Sequence, residues 1–245
     1  MTRVRLLLLA ALALLAGGWS QAQTSGTQEP LRVLFVGNSL TATNDLPALV
    51  ARLARAFGPR EIQYRTIAPG GTSIEDHWNA GEVPAELETG NWDVVVMQQG
   101  PSALPESQAN LIEWATRMSE HARQHGVRPA LLTMWPESYR RYATAAVIAS
   151  YANAAKAANA ELYPAGVAWR AAWRRQPSLP LYGPDGFHPS ALGTYLAAIV
   201  VLAGLTGDEP IGRRVELLRP VKLSISTARA KLLRAAAVEA LATAR

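Results

Sequence analysis

The chain contains no cysteine, which excludes a disulfide framework, a thiolate nucleophile, a thiolate metal site and a lipid-bearing lipoprotein thiol. Stability must come from packing, and 245 residues that are 49% hydrophobic and 18% charged supply enough apolar chain for one α/β domain. Long apolar runs are scarce as well. One occupies residues 6–16, behind Arg3 and Arg5 and ahead of Ser20-Gln21-Ala22. It is shorter than the roughly 20 residues a bilayer span needs. A basic start, an apolar middle and a small-x-small end are the layout of a secretory leader. The expectation is a signal peptide over 1–22, a short linker over 23–30 and a single domain over 31–245. Such a protein is exported to the periplasm or exterior and keeps no stable membrane anchor after cleavage. A strong excess of one charge is missing too. The formal net charge of +5 falls to +3 once Arg3 and Arg5 leave with the leader, too little to argue for a nucleic-acid partner.

What is present is an alternation of aliphatic runs with longer helical patterns, the mark of βαβ units and a parallel sheet covered by helices. The run 32–36 is continuous rather than alternating, as a strand buried on both faces should be. Further strands are expected over 62–68, 92–98 and 130–134, with a weaker one near 160–166. Asn44 or Asp45 can cap a helix with Pro47 in its first turn and Gly58 at its end. Other helices are expected over 106–125, 142–160, 189–203 and 224–244, and the stretch 207–220 reads as a surface connection.

In an open parallel sheet, ligands sit outside the carboxyl ends of the strands. The first strand ends in Gly37-Asn38-Ser39, the second is followed by Gly70-Gly71, and the third ends in Gln98-Gln99-Gly100. A serine, glycine amides and a carboxamide are the parts of a nucleophile and an oxyanion hole. A serine hydroxyl needs a base, usually a histidine oriented by a carboxylate. His188 suits that role: Asp185 lies three residues before it, Gly186 lets the backbone turn, and Pro189 biases it to a loop edge. Taken singly, Ser39 reads as a capping serine and Asp185 as a turn residue; together with His188 they make a triad from two segments.

Four blocks, "FVGNSL", "PGGTS", "VVVMQQGPS" and "DGFHP", resemble the SGNH (GDSL-type) hydrolase superfamily. The resemblance implies a flavodoxin-like three-layer α/β/α sandwich, with a central parallel sheet of about five strands. It further implies metal-free and cofactor-free hydrolysis of an ester, thioester or O-acetyl group through an acyl-serine. Ser39 would be the nucleophile, His188 the general base and Asp185 its orienting acid. The amides of Ser39 and of Gly70 or Gly71 would stabilise the oxyanion. Two positions depart from the family pattern. Asn38 stands where an acid is usual, and an amide can fix the turn by local hydrogen bonds. Ser102 stands where the third block normally has asparagine. Related carbohydrate acetyl esterases have a Gln-Gly step in this block, which points to Gln99 as the donor with Gln98 behind it, since strand alternation turns only one of them to the pocket. Asn38, Gln98 and His77 are further pocket candidates, although a surface or structural role is the plainer reading of His77.

The remaining motifs read blandly. His121 and His125 have metal-binding spacing but no evident third ligand. The "PGGTS" loop lacks the ending of a nucleotide-binding loop. Trp169 and Trp173 share a helix face and are expected to pack rather than to form a sugar platform. The expected activity is an exported serine esterase acting on a small-molecule or carbohydrate ester, with carbohydrate O-deacetylation preferred. The alternatives are a lipid ester or thioester hydrolase and a catalytically silent glycan-binding domain of the same fold.

Overall fold

Five short runs, three of them mainly aliphatic, set the architecture. In the computed structural model, which describes residues 29–207, 216–217 and 223–244, they become β1 (Leu31–Val36), β2 (Ile62–Ile67), β3 (Val94–Met97), β4 (Arg128–Leu132) and β5 (Glu161–Tyr163). The strands form one parallel sheet in the order β2-β1-β3-β4-β5, the flavodoxin-like order that the resemblance implies. The leader, most of the linker and most of the connection over 207–220 lie outside the described residues.

β1 sits inside the sheet, and Val33, Leu34, Phe35 and Val36 are each 0% exposed. Burying side chains of this size stabilises by about 2 kcal/mol each, which is why this run is continuously apolar rather than alternating. A short helix α1 (Ser39–Ala42) and a 3-10 turn follow, before α2 (Leu46–Phe57) begins at the Asp45 cap and stops at Gly58. α3 (Ile74–Ala80) and α4 (Glu82–Thr89) fill the β2–β3 crossover, α5 (Pro105–Gln124) the next, and α6 (Thr144–Ala158) the last. α7 (Ala165–Arg175), α8 (Ala191–Thr206) and α9 (Thr227–Thr243) complete the order, with a short antiparallel pair, β6 (Glu216–Leu217) and β7 (Leu223–Ser224), ahead of α9.

Helices cover both faces of the sheet. α2 packs on α8, which also meets α7 and α9; α5 packs on α6, α3 and α4. α8 is apolar on every side and almost wholly buried, as a helix enclosed by neighbours should be. A side chain at Gly193 would meet the Leu181 carbonyl oxygen and the Trp169 ring, so glycine is what lets α8 lie this close. Trp169 and Trp173 belong to the core. Trp169 stacks on Trp135 with centroids 3.5 Å apart and planes at 4°, and meets Trp173 and Tyr182 edge-on.

Candidate active site

The carboxyl ends of β1, β2 and β3 and the loop before α8 meet at one rim, as the sheet order requires. Ser39 occupies the first turn of α1. Asn38 caps that helix, its Oδ1 accepting from the Leu40 N–H at 3.1 Å. The cap aims the Ser39 side chain out of the β1–α1 turn. The Ser39 hydroxyl lies 2.9 Å from His188 Nε2, and His188 Nδ1 lies 2.5 Å from Asp185 Oδ2. Because an ionised carboxylate can only accept, Nδ1 carries the proton and Nε2 presents its lone pair to the serine.

The Asp185–His188 loop is held from several directions. Asp185 Oδ1 accepts from the N–H groups of Phe187 and His188, both at 3.0 Å. The Gly183 N–H donates to the His188 carbonyl at 2.7 Å, and Ser138 N–H to the Gly186 carbonyl at 2.7 Å. Gly186 has φ of 69°, a left-handed conformation that suits glycine. From below, Trp135 Nε1 donates to the Phe187 carbonyl at 3.2 Å. The hydrogen bond from His188, followed by that from the Phe187 N–H, holds the Asp185 carboxyl below its usual range.

Ser39 opens onto a cavity of about 580 Å³ lined by Asn38, Gly71, Gln99, Ser102, Asn110 and Phe187 among others. The N–H groups of Ser39 and Gly71 have no hydrogen-bond partner among the described residues. Gly71 lines the cavity and Gly70 does not. Of the two glutamines, Gln99 reaches the cavity whereas Gln98 is turned beneath the turn. Its Oε1 accepts from the Thr41 hydroxyl at 2.8 Å and the Asn38 N–H at 3.2 Å, and its Nε2 donates to Asn38 Oδ1 at 3.1 Å. Gln98 is therefore a brace, not a pocket residue.

His77 also requires correction as a pocket candidate. It is 3% exposed, and its Nε2 lies 2.7 Å from the Gly37 carbonyl and 3.2 Å from the Thr72 hydroxyl. The ring ties the β1 turn to the loop after β2, away from the cavity. His121 sits between the Pro84 carbonyl at 3.2 Å and the ring of Trp78. Sequence reasoning passed over Glu75 and Asn110, which flank Gln99; they carry no motif, and only the fold brings them there.

Asn38 shows why an amide stands where the family usually has an acid. It is 5% exposed, and its Nδ2 donates to the Thr72 carbonyl at 3.0 Å, linking the serine turn to the loop that carries Gly71. A carboxylate cannot donate there. Asn38→Asp should destabilise the fold by about 1–3 kcal/mol, read as a lower denaturation midpoint, and should lower activity as the two loops separate. Unchanged stability would show that the Asn38–Thr72 bond carries no weight.

Fold and site together define an α/β serine hydrolase. A protein from Slackia heliotrinireducens carrying an SGNH hydrolase assignment is similar over 72% of this chain and 100% of its own, at 27% identity and a TM-score of 0.62. A DUF4886 family protein from Bacteroides uniformis is similar over 87% of this chain and 95% of its own (19% identity, TM-score 0.67), and the lipase/acylhydrolase of Enterococcus faecalis over 72% and 96% (20% identity, TM-score 0.59); these two likenesses concern the fold. No family model and no curated protein matches the chain. In its fold and its four motif blocks the chain resembles the SGNH (GDSL-type) hydrolases.

Proposed function

We propose that the protein is an exported serine esterase that removes small acyl groups, above all O-acetyl groups, from carbohydrate. The observation that carries this reading is the hydrogen-bonded chain from Ser39 through His188 to Asp185, opening onto a cavity in which Phe187 is the one large apolar side chain. A lining in which every residue but Phe187 is a glycine or carries a hydroxyl, amide or carboxylate group suits a hydroxylated leaving alcohol better than a lipid tail. The Gln99-Gly100 step supports the same substrate class by resemblance. Export rests on the leader over 1–22; among the described residues no helix is long and apolar enough to cross a membrane.

In this mechanism His188 Nε2 takes the Ser39 proton as Oγ attacks the acyl carbonyl, and the imidazolium is steadied by Asp185. The N–H groups of Ser39 and Gly71 and the amide of Gln99 receive the oxyanion, where charge develops in the transition state. His188 then protonates the departing alcohol, draws a proton from water as it attacks the acyl-serine, and returns that proton to Ser39 Oγ as the acid is released.

The test is a substrate series on the protein from Gln23 onward: 4-nitrophenyl esters of increasing chain length, and acetate release from acetylated polysaccharide. Acetyl esters should be turned over fastest, with kcat/KM falling as the chain lengthens. A maximum at long chains would replace this reading with a lipid ester hydrolase. No turnover, with no fluorophosphonate labelling, would leave a glycan-binding domain.

A further inference from the structure

The orientation of the Gln99 amide is set by groups at both of its ends. Gln99 is 7% exposed, and Tyr151 brackets its backbone: the N–H donates to the phenol oxygen at 3.1 Å, and the phenol donates to the carbonyl at 2.5 Å. Its Oε1 accepts from the Ile74 N–H at 3.2 Å. That N–H belongs to the first residue of α3, and a backbone N–H can only donate. On the other side, Gln99 Nε2 donates to Asn110 Oδ1 at 3.4 Å, and Asn110 Nδ2 donates to Glu75 Oε2 at 2.6 Å. An ionised carboxylate can only accept, so Asn110 must turn its nitrogen to Glu75 and its oxygen to Gln99. An obligate donor at one end and an obligate acceptor at the other thus impose the same polarity on Gln99. One Nε2 hydrogen is used by Asn110; the other has no partner among the described residues, and both side chains line the cavity beside Ser39.

We propose that Glu75 and Asn110 form a polar strut that holds the nitrogen of the Gln99 amide, rather than its oxygen, toward the developing oxyanion. They are positioning residues, acting on the oxyanion through Gln99 rather than directly. A flipped amide would present a carbonyl oxygen to negative charge, so the strut, together with the Ile74 N–H, decides whether Gln99 stabilises or opposes the transition state. The inference rests on the reading of Gln99 as an oxyanion donor. Its consequence belongs to kcat, because the interaction matters only once charge develops on the oxygen.

The experiment measures kcat and KM on 4-nitrophenyl acetate for N110A, N110D, E75Q, Q99A, N110A/Q99A and the swapped pair E75Q/N110D. Losing an oxyanion donor costs about 100-fold to 1000-fold; losing its orientation should cost part of that, about tenfold in kcat for N110A, with KM little changed. That loss should vanish in the Q99A background, because the two act as one unit. N110D sets two carboxylates against each other, and E75Q lets Asn110 turn, so both should be slow. The swapped pair again faces one amide with one carboxylate, placing an obligate acceptor beside Gln99 Nε2, and should regain most of the lost kcat, which distinguishes amide polarity from simple packing. A Q99A enzyme with full kcat would remove the donor and the strut with it. A slow Q99A with a fast N110A, or an N110A loss that persists undiminished in Q99A, or a swapped pair no better than N110D, would overturn the strut while leaving Gln99 in its role.

Discussion

Ser39→Ala is expected to lower kcat/KM on 4-nitrophenyl acetate by about 100,000-fold or more, and His188→Ala by a similar factor. The two losses should not add. Oγ and Nε2 stand 2.9 Å apart and act in one proton transfer, so once either is gone the other has nothing to do. What survives is the catalysis that substrate binding and oxyanion donors give unaided. Both variants should fold as the parent does, because Ser39 and His188 are partly exposed at the rim rather than in the core. Fluorophosphonate should modify the parent at Ser39 and leave Ser39→Ala unmodified. An alanine variant as active as the parent would dismiss Ser39 as the nucleophile.

Asp185→Asn carries the second largest effect, a loss of about 1000-fold. An amide in place of the carboxylate can present its nitrogen to Nδ1 and so favour the wrong tautomer, a fault that costs about 10,000-fold where the acid is buried. Here half of the Asp185 side chain is exposed, at 51%, and solvent screening reduces the cost. The same geometry fixes the pH behaviour. Hydrogen bonds from His188 and the Phe187 N–H hold the carboxyl below its usual value. Its folded pKa thus lies below its unfolded one, so the stabilisation is present above the unfolded value and is lost as pH falls through the folded value. Asp185 accordingly remains ionised through weakly acidic solution. The parent should keep its Asp185-dependent advantage over Asp185→Asn through weakly acidic solution and lose it only below the ordinary aspartate value of about 4. If the two rates converged near neutrality instead, Asp185 would not be the orienting acid.

β1, β3 and β4 were legible because burial on both faces forces nearly unbroken aliphatic runs, whereas the edge strands β2, exposed over its four middle residues, and β5, only three residues long, carry that pattern weakly. Ser39, Asp185 and His188 were legible because a hydrogen-bonded triad constrains residue type and local spacing together. The helices α3 and α4 were not read in advance. They are short, Gly81 and Pro84 interrupt them, and α3 depends on a capping box between Ser73 and Asp76 rather than on apolar periodicity. α1 escaped for a similar reason: Asn44 and Asp45 take left-handed conformations that break the helical reading there. For His77 the structural reading holds, although a histidine after a glycine pair is as compatible with lining a pocket as with tying a turn. Glu75 and Asn110 were invisible for a deeper reason. They are 35 residues apart, and their partnership exists only after sheet order brings α3 beside α5.

The indole stack of Trp135 and Trp169 gives the histidine loop an unusual foundation. Through the Trp135 bond to the Phe187 carbonyl, the backbone beside His188 rests on a slab of interior rings instead of hanging from a free loop. The proposed general base is thereby anchored to the buried core, so its placement toward Ser39 is set before any ester arrives.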